Sequence, residues 1–184
     1  MAEFRNFGRA LIAGSLRLGL TAAGQVDANG SNRPDLGTLD TTFNPDARLT
    51  PPGTLVQEVP FEQGSAVIEQ HGGRLVAVGT AGIDSIALAR YSKTGEIDRS
   101  FGDDGFVLED GLDSPQVGGI HLQGTGQKAD LVTVGGNFDG FLALRHTADG
   151  ELDPNFGDGG IATLPIDQFD EANGSAIQRD GKLL

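Results

Sequence analysis

The sequence predicts an all-β chain built as four-stranded antiparallel β-propeller blades, about 2.7 of them in an incomplete, open array. Three observations lead there. Short motifs recur at a spacing near 55 residues, with Phe43, Phe101 and Phe156 standing 58 and 55 residues apart. Between them lie short β-branched segments divided by Gly- and Asp-rich gaps, four to a unit. Segments such as Leu75–Val78 and Leu131–Val134 are apolar at successive positions instead of alternating. That pattern marks strands covered on both faces, as when each sheet lies between two others.

Residues 1–36 are a leader and linker. Arg5 and Arg9 precede the apolar stretch Ala10–Leu20 and then Thr21-Ala22-Ala23. This order resembles a secretory signal, although Glu3 and Arg17 interrupt it. The alternative is a disordered leader, and the Gly-, Asn- and Asp-rich stretch 24–37 reads as a linker. The head carries four bases and three acids, leaving nine bases and 23 acids for residues 37–184. The body's charge of −14 disfavours the nucleic-acid backbone, which needs clustered Lys and Arg. Cysteine is absent, which excludes disulfides, thiolate metal sites and Cys nucleophiles. No apolar run approaches the length of a membrane span.

Within 37–184, a degenerate unit at 37–64 is followed by full units at 65–116 and 117–173 and by a truncated one at 174–184. Strands are expected near 65–70, 74–79, 85–91 and 105–109, and again near 117–123, 129–135, 140–146 and 159–164. The repeated blocks carry the register. Ile86-Ala87-Leu88-Ala89-Arg90 recurs as Phe141-Leu142-Ala143-Leu144-Arg145, and Gly73–Gly79 recurs as Ala129–Gly135. The turn motif appears as Gly95-Glu96-Ile97-Asp98-Arg99-Ser100-Phe101-Gly102-Asp103-Asp104-Gly105. It returns as Gly150-Glu151-Leu152-Asp153-Pro154-Asn155-Phe156-Gly157-Asp158-Gly159-Gly160, with a first copy around Asp40 and Phe43. The Gly73–Gly79 block begins again at Gly181-Lys182-Leu183-Leu184, so the chain is expected to be a fragment of a larger array, starting a hairpin with no return.

These linked motifs resemble the delta-60 repeat family, whose units join a strand ending in A-L-A-R-Y to a turn of the form G-x-L-D-x-x-F-G-x-x-G. The resemblance spans residues 37–184, with Asn44 standing where the family has Gly. It implies a propeller-forming repeat of bacterial secreted or surface proteins and implies no catalytic residues.

Each motif residue has a structural role in this reading. Asp40, Asp98 and Asp153 accept backbone N–H groups of their turns. Phe43, Phe101 and Phe156 anchor those turns between blades. Arg90 and Arg145 pair with the Asp eight residues on, or with turn carbonyls. Gly102, Gly105, Gly157 and Gly160 complete the turns. The alternative for Asp98, Asp103, Asp104, Asp153 and Asp158 is calcium ligation, although the D-x-[DN]-x-[DN]-G pattern is absent; no other cofactor is expected. His71, His121 and His146 share no ligand spacing, and Tyr91 and His146 occupy equivalent packing positions.

The expected function is therefore a non-enzymatic structural or binding scaffold with a protein or glycan partner, further repeats or another chain covering its open edges. One alternative is a glycan hydrolase using paired carboxylates such as Asp103, Asp104 and Asp158. The other is a calcium-stabilised surface module.

Overall fold

The computed structural model describes residues 60–165, 172 and 174–184. The leader, Asp40, Phe43 and most of the unit 37–64 lie outside the described residues. Among the described residues eight strands make up nearly all the regular structure: β1 (Gln63–Gln70), β2 (Arg74–Ala81), β3 (Ser85–Tyr91), β4 (Phe106–Glu109), β5 (Gln116–Gln123), β6 (Asp130–Asn137), β7 (Gly140–His146) and β8 (Ile161–Pro165). Among the same residues one 3-10 turn, Gly126–Lys128, lies between β5 and β6. All eight expected strands are present, with ends displaced by at most two residues.

The strands form two four-stranded antiparallel sheets, β1-β2-β3-β4 and β5-β6-β7-β8, each a simple up-and-down meander. Registers correspond between the sheets. Arg90 faces Val76 across β2 and β3, and Arg145 faces Val132 across β6 and β7. Both first strands carry a bulge, between Gly64 and Ala66 and between Val117 and Gly119. Opposite each bulge stands a glycine, because the partner backbone comes too close for a side chain. A Cβ on Gly79 would lie 2.0 Å from the Gln63 carbonyl oxygen, and one on Gly135 would lie 1.8 Å from that of Gln116.

The β2–β3 pair is covered on both sides, which explains its unbroken apolar runs. One face presents Val76, Val78, Ile86 and Leu88, and these pack with Leu131, Leu142 and Leu144 of the second sheet in one core. The other face joins Ala77, Ala87, Ala89 and Tyr91 to Phe61. The connection between the sheets is pinned by three bonds: the Leu112 amide to the Asp84 carbonyl, the Phe138 amide to the Asp113 carbonyl, and Asn137 Nδ2 to the Leu112 carbonyl. β5 lies alongside β1 and β2.

A further hairpin begins beside β5. The amides of Ala176 and Leu184 donate to each other's carbonyls, at 3.0 and 2.9 Å, and the Gln178 amide donates to the Lys182 carbonyl. The expectation of a hairpin without a return is thereby corrected: the Asp180-Gly181 turn closes at once on the strand preceding it. Its docking contacts are a 2.7 Å hydrogen bond between His121 Nε2 and Ser175 Oγ and a 2.6 Å bond from Gln123 Nε2 to the Gly181 carbonyl.

Candidate functional site

The recurring motif folds into a compact turn, and the same backbone bonds form it in both sheets. The Arg90 amide donates to the Gly105 carbonyl and the Arg145 amide to that of Gly160; the amides of Asp98 and Asp153 return to the Arg90 and Arg145 carbonyls. Phe101 and Phe156 donate to Asp98 and Asp153, and Gly105 and Gly160 close the loop on the Phe carbonyls. Gly102 and Gly157 sit at φ of 52° and 54°, the left-handed region. A Cβ at either would lie 2.1 Å from a carbonyl oxygen, that of Phe106 or Ile161.

Each Asp carboxylate organises its turn. Asp98 Oδ1 accepts the Ser100 amide at 3.2 Å and hydroxyl at 2.6 Å, while Asp153 Oδ1 accepts the Asn155 amide at 2.9 Å and side-chain amide at 3.0 Å. The second oxygen serves the arginine. Arg90 Nε lies 2.9 Å from Asp98 Oδ2, as an ion pair whose N–H points off the oxygen. Arg145 Nε and Nη2 reach Asp153 Oδ2 at 2.8 and 2.7 Å. Each guanidinium carbon stands 4.7 Å from the centre of the motif Phe ring, Phe101 or Phe156, in cation–π geometry.

These contacts set the carboxylate acidities. Burial pushes Asp98 up, but the two Ser100 bonds and the Arg90 charge outweigh it and hold the group below its usual value. For Asp153 the Asn155 amide is the leading cause of a lowered value, assisted by the Asn155 side chain and Arg145. Asp130 moves the other way, raised by burial and by repulsion from Asp153 against the pull of Arg145.

The two clusters differ in what lies beyond them. Arg90 is fully enclosed. Its Nη1 donates to the Ala148 carbonyl of the second sheet at 2.7 Å and its Nη2 to Ser100 Oγ at 3.0 Å, while Gln70 Nε2 also reaches the Ala148 carbonyl at 3.1 Å. The Thr147–Gly150 turn thus seats on the first sheet's motif, where the Gly102 amide donates to the Asp149 carbonyl and Phe101 is completely buried. Among the described residues Arg145 is bonded only within its own sheet, its Nη1 to Gln123 Oε1 at 3.0 Å. It keeps 19% of its side-chain surface exposed, and Phe156 is half-buried.

Sequence reasoning did not single out Gln70, Gln123 or the Ala148 carbonyl. The glutamines carried a signal, since Gln70, Gln123 and Gln178 each stand three residues before a turn glycine, Gly73, Gly126 and Gly181. A backbone carbonyl has no sequence signature.

The calcium candidates do not converge. Asp103, Asp104 and Asp158 are exposed on the turns, with Asp104 paired to Arg99. Among the described residues no three His, Asp or Glu side chains gather to hold a metal ion. His121 and His146 stand apart in function as well as place: His146 is buried with Nε2 at 3.1 Å from Glu109 Oε1, tying β7 to β4. Among the described residues no helix is long and apolar enough to cross a membrane.

No family model, curated protein or solved structure matches the chain.

Proposed function

We propose that the chain is a non-enzymatic scaffold whose two sheets are successive blades of a β-propeller, displaying surface for a protein or glycan partner. The observation that carries this reading is the fate of Arg90. Its guanidinium is wholly enclosed, and its contacts join its own sheet, its own turn and the neighbouring sheet. A cation so occupied serves cohesion and offers nothing to a substrate. The motif carboxylates are engaged in the same way, Asp98 and Asp153 each by its own turn and arginine.

The resemblance to delta-60 repeats supports the propeller arrangement and a secreted or cell-surface setting. The formal charge of −13 favours cationic or basic partners over nucleic acid.

Replacement of Arg90 separates the scaffold from an active site. Arg90→Ala and Arg90→Lys are both expected to lower the melting temperature, because Lys lacks the planar fork. Incubation with a polysaccharide panel is expected to release no reducing ends. Unchanged melting in both variants, or sugar release abolished by Asp98→Asn or Asp153→Asn, would overturn the scaffold reading.

A further inference from the structure

The turn after β7 belongs to the second sheet in sequence, yet three of its consecutive residues are held by the first. The Ala148 carbonyl accepts Arg90 Nη1 at 2.7 Å and Gln70 Nε2 at 3.1 Å. The Asp149 carbonyl accepts the Gly102 amide at 2.9 Å. Gly150 then lies flat on the first sheet's motif. A Cβ added there would stand 2.9 Å from Val107 Cγ2, 3.0 Å from Phe101 Cε2 and 3.1 Å from the Gly102 nitrogen.

We propose that Ala148–Gly150 is a latch: it holds the Arg90–Asp98–Phe101 cluster of the first sheet closed, and that cluster opens only when the turn lifts. Lifting would take from Arg90 its shortest hydrogen bond and leave Gln70 Nε2 and the Gly102 amide without their acceptors. Arg90 and Gln70 are buried, and buried donors left unmet are costly. Phe101, which has no exposed surface, would lose the wall that Gly150 gives it. The turn therefore cannot leave without water reaching the cluster.

The latch runs in one direction among the described residues. The second sheet's turn enters the first sheet's motif, whereas the Arg145 guanidinium is bonded only to Asp153 and Gln123 of its own sheet. Its sequence requirement is narrow. Positions 148 and 149 contribute backbone carbonyls, which any residue supplies. Position 150 demands glycine twice over, for the close approach and for a φ of 95°. The latch needs only the contacts between these two sheets, and it stands whether or not they are blades of a propeller.

Native-state amide hydrogen exchange of the full chain, resolved by residue, tests it. The quantity read is the exchange rate at Asp98, Phe101 and Gly105 relative to their counterparts Asp153, Phe156 and Gly160, all amides bonded within their own turns. Gly150→Ala is expected to raise that ratio about tenfold or more, because the distant motif opens locally while its counterpart does not. Gly72→Ala is the control. That glycine has a φ of 88° and nothing within 4 Å of an added Cβ, so the variant carries the strain without the collision. Its ratio is expected to match the parent's. Equal acceleration of both motifs by Gly150→Ala, or acceleration confined to residues 147–151, overturns the latch. Should Gly150→Ala fail to fold, Gln70→Met removes one donor to Ala148 and keeps the side chain's length; an unchanged ratio there overturns the latch as well.

Discussion

Arg90 and Arg145 each pair with the motif Asp and stack on the motif Phe but differ in enclosure, and the difference has an energetic consequence. Removing one member of a buried, hydrogen-bonded charge pair costs roughly 3–5 kcal/mol, whereas exposed pairs contribute about 0–1 kcal/mol. Arg90→Ala is therefore expected to destabilise the chain clearly more than Arg145→Ala in chemical denaturation. Phe101→Ala should likewise approach the roughly 3–5 kcal/mol of a buried ring, with Phe156→Ala costing less because that ring is half-buried. Tyr91, the one tyrosine in a chain without tryptophan, reports on its own burial. Enclosure pushes its phenol up from 10.0 to about 12. The neutral form is thus favoured in the folded chain, and this contribution to stability is present below pH 10 and lost as pH rises towards 12. Tyrosinate absorbance is expected to appear near pH 12 or together with unfolding; a midpoint near 10 in a folded chain would show the ring to be accessible. Thr133 is buried with a hydroxyl that has no partner. Thr133→Val removes that unsatisfied group while keeping the shape, so its expected effect on melting is neutral or upward.

At the level of elements, period and turn chemistry were legible because they are local. Eight strands were placed to within two residues, since β-branched runs bounded by Gly and Asp leave few alternatives. The Asp98 and Asp153 turns were also legible, because an Asx carboxylate reaches the amide two residues ahead whatever surrounds it. The bulges at Gly64–Ala66 and Val117–Gly119 were not. They arise from the approach of two backbones, visible in sequence only as the glycines at 79 and 135. A measurement follows at Gly102 and Gly157, where a side chain would sit at positive φ against a carbonyl. Gly102→Ala and Gly157→Ala are each expected to cost at least about 1–3 kcal/mol from backbone strain, read as a lowered denaturant midpoint.

For the whole molecule, acid is the expected weak point. Asp98 and Asp153 are held below the ordinary 3.8 in the folded chain, so the unfolded chain takes up protons first. Their contribution is complete above that value and is lost as pH falls through it towards their folded values. Asp130, being raised, acts in the opposite sense and partly offsets the loss. Melting temperature should fall as pH drops below about 4, and Asp98→Asn should flatten that fall. Melting is expected to be the same with and without a calcium chelator, because among the described residues no three acidic or histidine side chains gather around one point; a drop on chelation would restore the calcium-stabilised reading.

By itself the sequence determined the strand count, the up-and-down order of the units and the local Asp turns, all of which follow from side-chain periodicity and contacts a few residues apart. It paired Arg90 with Asp98 or turn carbonyls and Arg145 with Asp153 in the same way, and gave Phe101 and Phe156 the anchoring of those turns, but treated the two sets as equal and did not foresee the stacking of arginine on phenylalanine. Only the tertiary structure decided that they are not. The Ala148 carbonyl, 58 residues from Arg90 in the chain, completes one cluster. No neighbouring carbonyl among the described residues completes the other. Enclosure is a property of what packs from a distance, and identical local motifs therefore end in different environments: one is sealed within the core, and the other keeps part of its surface exposed.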